Sequence, residues 1–176
     1  MLKLEFPNET HREMYERMQI QWKQHSISRV SSKMLQYDNI SDFINYMKED
    51  KKWRPWLVPS TFFFCINDGE IIWHIQIRHH INHPNLKDVW WHIWYWIVPW
   101  EWNRWYWKKQ LQLGLEEAKK LGLDKVMISS LDENIASYKI IESCWGILKK
   151  ERILNNPPKD MLNKKGKKLK IYWITL

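Results

Sequence analysis

The chain reads as an α/β protein, a mixed sheet flanked by helices, and three observations carry that reading. Two helical stretches open it, three strand-like segments follow with hairpin punctuation, and a strand–helix–strand unit occupies the second half. With 176 residues, 44% of them hydrophobic, it can bury one sizeable core and is too apolar for disorder. The expected order is ααβββαβαββ, with room for a short extra strand at the N-terminus, in one domain covering 1–176.

Pro7 and Asn8 start a helix over residues 8–22, where Met14, Tyr15, Met18 and Trp22 fall at helical spacing. After a polar connection from Gln24 to Ser32, Ser41 is the expected cap of a second helix presenting Phe43, Ile44 and Met47. From Ser60 the pattern turns to strands: TFFFCIN and EIIWHIQIRHH, joined by Asn67, Asp68 and Gly69, make a hairpin. A third strand is predicted over 91–98, stopped by Pro99.

Residues 105–121 predict a helix with Leu111, Leu115 and Ala118 on its inner face, ended by Gly122. Strand KVMIS follows, then Asn134 as cap of a helix carrying Ser137, Ile140, Ile141 and Cys144 on one stripe. A closing hairpin pairs GILKKERIL with KKLKIYWITL. The lysines around Gly166 read as its solvated turn rather than a nucleic-acid arm, since a strand follows directly.

Composition excludes several classes. No apolar run reaches the ~20 residues that span a bilayer, and the N-terminus lacks a signal-peptide core, so the chain reads as cytoplasmic with no membrane partner. Cys65 and Cys144 read as buried thiols. His79, His80 and His83 cluster in RHHINH without a Cys or carboxylate at zinc spacing, which predicts no metal and leaves acceptor-site lining or a solvated loop. Arg78 beside them either binds an acidic group of an acceptor or pairs with Asp88. The net charge of +8 attracts anionic substrates or cofactors as readily as nucleic acid.

Chemistry is best sought at the strand–helix–strand unit. A strand that turns into a helix N-terminus presents unpaired N–H groups and the positive end of the helix dipole, a ready anion site. In this setting HIWYWIVPWEWNRWYWKKQLQLGLEEAKKLGL resembles the acetyl-CoA motif of the GNAT superfamily of N-acetyltransferases: strand, Pro, Arg or Gln, two residues, Gly, one residue, Gly or Ala, helix. The resemblance covers residues 57–176, the expected acetyl-CoA-binding core, and leaves 1–56 as a helical acceptor-side part. It is strongest toward small bacterial members whose central strand reads GGHIGYG, where this chain has WWHIWYW.

The resemblance implies transfer of an acetyl group from acetyl-CoA, as co-substrate, to a primary amine by direct attack. The acceptor is a small molecule or peptide, nucleic acid is not an expected partner, and the chain is a monomer or homodimer. It also implies that Ile97 and Val98 pair through their backbone with the pantetheine arm. Trp102, Asn103, Arg104, Trp105, Tyr106 and Trp107 then surround the pyrophosphate, and Asn134 and Ser137 contact the arm. Asn134 is also a plain helix cap by its residue type.

For acid–base work, His92 stands where several relatives place a catalytic Glu and is the candidate base, against a histidine hydrogen-bonded within the sheet. The family's tyrosine acid falls at Ile141; Tyr138, on nearly the same face, is its candidate substitute, against a packed or surface tyrosine.

Eight tryptophans depart from the family in one way: Trp73, Trp90, Trp91, Trp94, Trp96, Trp105, Trp107 and Trp145 stand where relatives carry Gly, whereas Trp173 matches a family tryptophan. Indoles at 105 and 107 fill space the phosphate oxygens need. Read literally, the coenzyme site is obstructed, and the rival to an N-acetyltransferase is a non-catalytic GNAT-fold domain with an indole-blocked cleft, binding a protein or nucleic-acid partner. The alternative is a gene that uses UGA for glycine, read with UGA as tryptophan. Restoring those eight sites raises the glycine count from 5 to 13, near the ordinary share of ~7%. The codons decide: UGA is expected at 105 and 107 and UGG at Trp173, whereas UGG at 105 and 107, or one shared codon at Trp173 and the eight sites, contradicts the decoding account.

Overall fold

The computed structural model describes residues 1–24, 33–52, 58–82, 91–95, 106–155, 157 and 159–176. The extra N-terminal strand is present as β1 (Lys3–Glu5). Helix α1 (Arg12–Gln24) is led in by a 3-10 turn at Glu9–His11, with Asn8 closing a capping box on His11. Helix α2 (Ile40–Asp50) is capped by Asn39, whose side chain accepts from the Asp42 N–H, and not by Ser41 as expected. Asn is as good a cap as Ser, and the first residue able to reach that N–H takes the role. The polar connection between these helices lies largely outside the described residues.

Next come β2 (Ser60–Asn67) and β3 (Glu70–Arg78), an antiparallel hairpin turned at Asp68 and Gly69, both at positive φ. Strand β4 (Ile93–Tyr95) pairs antiparallel with β3; the part of the expected strand beyond Tyr95 is outside the described residues. Helix α3 (Tyr106–Lys120), β5 (Lys125–Leu131), α4 (Ile135–Ser143), β6 (Ile147–Ile153) and β7 (Lys168–Thr175) complete the order. The strands form two sheets, β1-β2-β3-β4 and β5-β7-β6, so the last hairpin inserts β7 between its partner and β5.

The lysines about Gly166 flank that insertion. Lys167 pairs with Glu133 and Lys170 with Asp132 at 2.5 and 2.7 Å, which makes the segment a solvated, ion-paired turn.

Two larger cores flank this arrangement, beside a smaller cluster of Met127, Leu154, Leu169 and Ile171. Tyr15, Met18 and Phe43 from α1 and α2 pack with Phe62 and Phe64 of β2, while Leu111 and Ala118 of α3 and Ile141 of α4 cover Ile75, Ile77, Ile93, Val126 and Tyr172. The second core draws on both sheets. Its close fit depends on Gly114, where a Cβ would overlap Ile75 Cδ1.

The tryptophans at family glycine positions divide by environment. Trp73 is fully buried, its ring stacked 5.0 Å from Trp22, and behaves as a core residue. Trp145 is 87% exposed and sits at φ 67° just past α4, in the left-handed region. The bond from the Gly146 N–H to Ile141 O, 2.9 Å, closes the helix around it in the way that normally selects glycine.

Left-handed backbone costs an L-residue ~1–2 kcal/mol, and glycine returns ~0.5–1 kcal/mol of that as unfolded-state entropy. Trp145→Gly is therefore expected to stabilise the protein by about 0.5–1 kcal/mol in urea titrations, with Trp145→Ala neutral. A loss of stability in Trp145→Gly would show that the indole is held by contacts.

Candidate functional site

Among the described residues, His92 and Met127 hydrogen-bond the two sheets together. His92 N–H donates to Met127 O and Met127 N–H donates to His92 Nδ1, both at 2.8 Å, joining the start of β4 to β5 side by side. The β3 ladder continues to the same residue, since Arg78 N–H donates to His92 O at 2.7 Å. Beyond this joint β4 and β5 belong to separate sheets, and a cleft of about 200 Å³ lies between them. Ile93, Trp94 and Tyr95 form one wall, Ile128 to Leu131 the other, and Asn134 and Ser137 of α4 the end.

Each lining group is placed by local chemistry. Asn134 caps α4, its side-chain oxygen accepting from Ser137 N–H at 3.2 Å, which brings both residues to the cleft. Ser137 Oγ lies 3.5 Å from Tyr95 Oη across the cleft. The Tyr95 phenol is pushed up to about 12, chiefly by burial, and stays protonated at neutral pH. Ser129 Oγ is buried on the β5 wall with no hydrogen-bond partner among the described residues. An orphaned hydroxyl and two strand edges that face one another without pairing fit an extended, amide-bearing chain laid between them.

Structure and sequence part company at His92. The ring does line the joint, but its Nδ1 is committed as acceptor to a buried N–H, so the neutral ring carries its proton on Nε2. Desolvation, then Arg78 and His80, lowers its pKa to about 4. A base needs a free lone pair; here using one breaks the link between the sheets. The hydrogen-bonded sheet histidine is the alternative that the geometry fits.

Tyr138 is absent from the cleft lining, and the Lys170 ammonium sits 4.0 Å over its ring. Ile141, the family's tyrosine position, is buried in the core.

At the start of α3, Tyr106 is buried and its hydroxyl accepts from Asn67 at 3.1 Å, while Trp107 stands edge-on to Tyr95 at 6.2 Å. Both side chains are thus engaged by the fold, and the first-turn N–H groups of α3 are what this end offers an anion. Ile97, Val98, Trp102, Asn103, Arg104 and Trp105 lie outside the described residues, as do His83 and Asp88. His79 Nε2 is 2.8 Å from Thr61 Oγ1, and Arg78 donates to Trp91 O at 3.0 Å with its guanidinium 5.6 Å over that ring. Among the described residues no metal-binding group of His, Cys, Asp or Glu forms, and no helix is long and apolar enough to cross a membrane. Both thiols are buried and shifted upward by desolvation, Cys65 to about 12.

Sequence reasoning missed Tyr95 and Ser129. The alternation within 91–98 carried the signal, but tryptophans on both sides of the strand concealed which residues face the cleft.

A strand–helix–strand crossover joining two sheets whose adjacent strands part defines the GNAT N-acetyltransferase fold, which this chain has. Among solved structures it is similar to the microcin C7 self-immunity acetyltransferase MccE with acetyl-CoA and AMP, at 16% identity over 99% of this chain and 92% of that one, TM-score 0.64. Mycobacterium smegmatis RimJ with CoA-disulfide gives 12% identity over 99% and 81%, TM-score 0.66. The spermidine/spermine N-acetyltransferase SpeG of Vibrio cholerae gives 12% over 99% and 92%, TM-score 0.64. No family model and no curated protein matches the sequence.

A histidine whose folded pKa is depressed favours the folded state above its unfolded pKa and loses that advantage as pH falls. His92 at about 4, and His74, fully buried at about 3, both fit this case. Stability is expected to drop steadily from about pH 6.5 toward pH 4. The drop is expected to shrink in His92→Gln, which keeps an acceptor for Met127, while His92→Phe costs about 1–3 kcal/mol at pH 7 by orphaning that N–H. A flat profile over this range in urea titrations contradicts the assignment.

Proposed function

We propose that this chain is an acetyl-CoA-dependent N-acetyltransferase acting on a primary amine, and the observation that carries the reading is the cleft that opens between β4 and β5 beyond the His92–Met127 joint. The pantetheine arm lies in that cleft as an extra strand, bonded by the backbone of Ile97 and Val98 and touched by Asn134 and Ser137. The pyrophosphate is held by the segment from Trp102 to Trp107, which leads into α3, with charge from Arg104. Residues 1–56 shape the acceptor side and 57–176 hold the coenzyme, within one domain.

The reaction is direct. The amine nitrogen attacks the thioester carbonyl, and unpaired strand N–H groups at the cleft stabilise the oxyanion. No described lining side chain is a base in the neutral range, so the acceptor's ammonium proton passes to water. Among the similar solved proteins, SpeG is named for spermidine and RimL for ribosomal L7/L12, which supports an amine acceptor, either a small molecule or a peptide.

Calorimetric titration with acetyl-CoA tests this. A micromolar Kd, about −8 kcal/mol, is expected for the chain with glycine at 105 and 107, and binding at least about tenfold weaker for the chain with its tryptophans. Failure of both forms to bind contradicts the reading and leaves the fold to a non-catalytic role.

A further inference from the structure

We infer that the amine accepted at this site carries an aromatic body and no second positive charge, an arylalkylamine and not a polyamine. This rests on the acetyltransferase reading above and concerns the side of the same cleft that α3 and α4 do not cover.

The cleft lining divides between the two faces of the sheets. Ile93, Tyr95 and Ile128 belong with the core under α3, and Asn134 and Ser137 stand on α4, so that face is the coenzyme's. Trp94, between Ile93 and Tyr95 in the strand, points the other way and packs on the core of α1 and α2, its ring 5.1 Å from that of His74. Leu131 and Leu169 belong to the small cluster around Met127. With Trp91 they make an acceptor-side mouth of two indoles and two leucines. Trp91, Trp94 and Leu131 are only partly buried, so apolar surface there is left for a ligand to cover.

Charge decides which amine fits. None of the described residues lining the cleft is Asp or Glu, and Arg78 sets a guanidinium 5.6 Å over Trp91. Asp50 is linked to the Trp94 side through Gln76, which pairs with Trp94 across β3 and β4 and donates to Ser60 Oγ at 2.8 Å. That carboxylate is 4% exposed and accepts from Ser60 and Tyr46, so it is spent within the protein. Asp132 and Glu133, just past β5, are paired with Lys170 and Lys167. A polyamine would leave its remaining ammonium groups in an apolar mouth with no counter-charge, a desolvation cost that its methylenes do not offset. An aromatic ring covers indole and leucine surface without that cost. Ser129 Oγ, buried on the β5 wall with no partner among the described residues, is left to accept from the reacting nitrogen.

The transfer balances for such an amine. The N–C bond forms and the C–S bond breaks with its electron pair on sulfur. The ammonium form loses two protons, the sulfur takes up one, and one is released to water.

Turnover of phenylethylamine and of spermidine tests this, on the chain and on its form with glycine at 105 and 107, whichever binds acetyl-CoA. The expected kcat/KM is at least about tenfold higher for phenylethylamine, and Trp94→Gly is expected to cut the ratio of the two amines by at least about tenfold. Equal values or a preference for spermidine overturn the inference, as do an unchanged ratio in Trp94→Gly and turnover of neither amine by protein that binds acetyl-CoA. If Trp94→Gly does not fold, Ser129→Asp, which puts a carboxylate into the mouth, is expected to move the ratio toward spermidine by a similar factor, and an unchanged ratio there overturns the inference. Calorimetric failure of both forms to bind acetyl-CoA fails the acetyltransferase reading itself, a result distinct from binding without the aromatic preference.

Discussion

Two hydrogen bonds between His92 and Met127 set the architecture. They are the point at which β4 and β5 run side by side, and because one of them ends on an imidazole nitrogen instead of a carbonyl oxygen, the regular ladder stops there. Everything beyond that point follows from backbone groups that have lost a neighbour. The strand edges from Ile93 to Tyr95 and from Ile128 to Leu131 face a cleft, and Asn134 closes its end by capping α4. The core under α3 keeps the two sheets from separating further, since Ile75, Ile77 and Ile93 of one sheet and Val126 and Tyr172 of the other share it. A histidine suits the joint because it is small enough for a sheet interior, polar enough to satisfy a buried N–H, and neutral when desolvated.

The tryptophans pose two physical problems. Trp145 puts a bulky side chain on left-handed backbone and leaves it in solvent, so the position gains nothing from an indole and is constrained as glycine would be. Trp73 is enclosed and stacked, and its loss would open a void between α1 and β3. Trp91, Trp94 and Trp107 are partly buried near the cleft, against Arg78, His74 and Tyr95. Of these positions, Trp145 is where backbone geometry argues for glycine independently of family resemblance.

Much of the fold was legible because its elements carry strong local signals. The Asp68–Gly69 turn, the amphipathic spacing of Leu111 and Ala118, and the Asn134 cap each dictate structure within a few residues. The strand before the crossover was legible as a strand, but its partner was not. Pairing of His92 with Met127 joins residues far apart in sequence through a side-chain nitrogen, and no local pattern encodes that. The same long-range fact decides the chemistry of His92: its residue type fits a base, its hydrogen bond does not. Tyr95 was hidden for the converse reason, since its significance lies in Ser137 across the cleft, on an element formed forty residues later.

Backbone hydrogen exchange with and without acetyl-CoA tests the central claim, that the gap between β4 and β5 is where coenzyme lies. The account predicts added protection at Ile93–Val98, at Trp102–Trp107, at Ser129–Leu131 and in the first turns of α3 and α4, with α1, α2 and β1 unchanged. Protection that appears elsewhere while those strand edges exchange as before would contradict it.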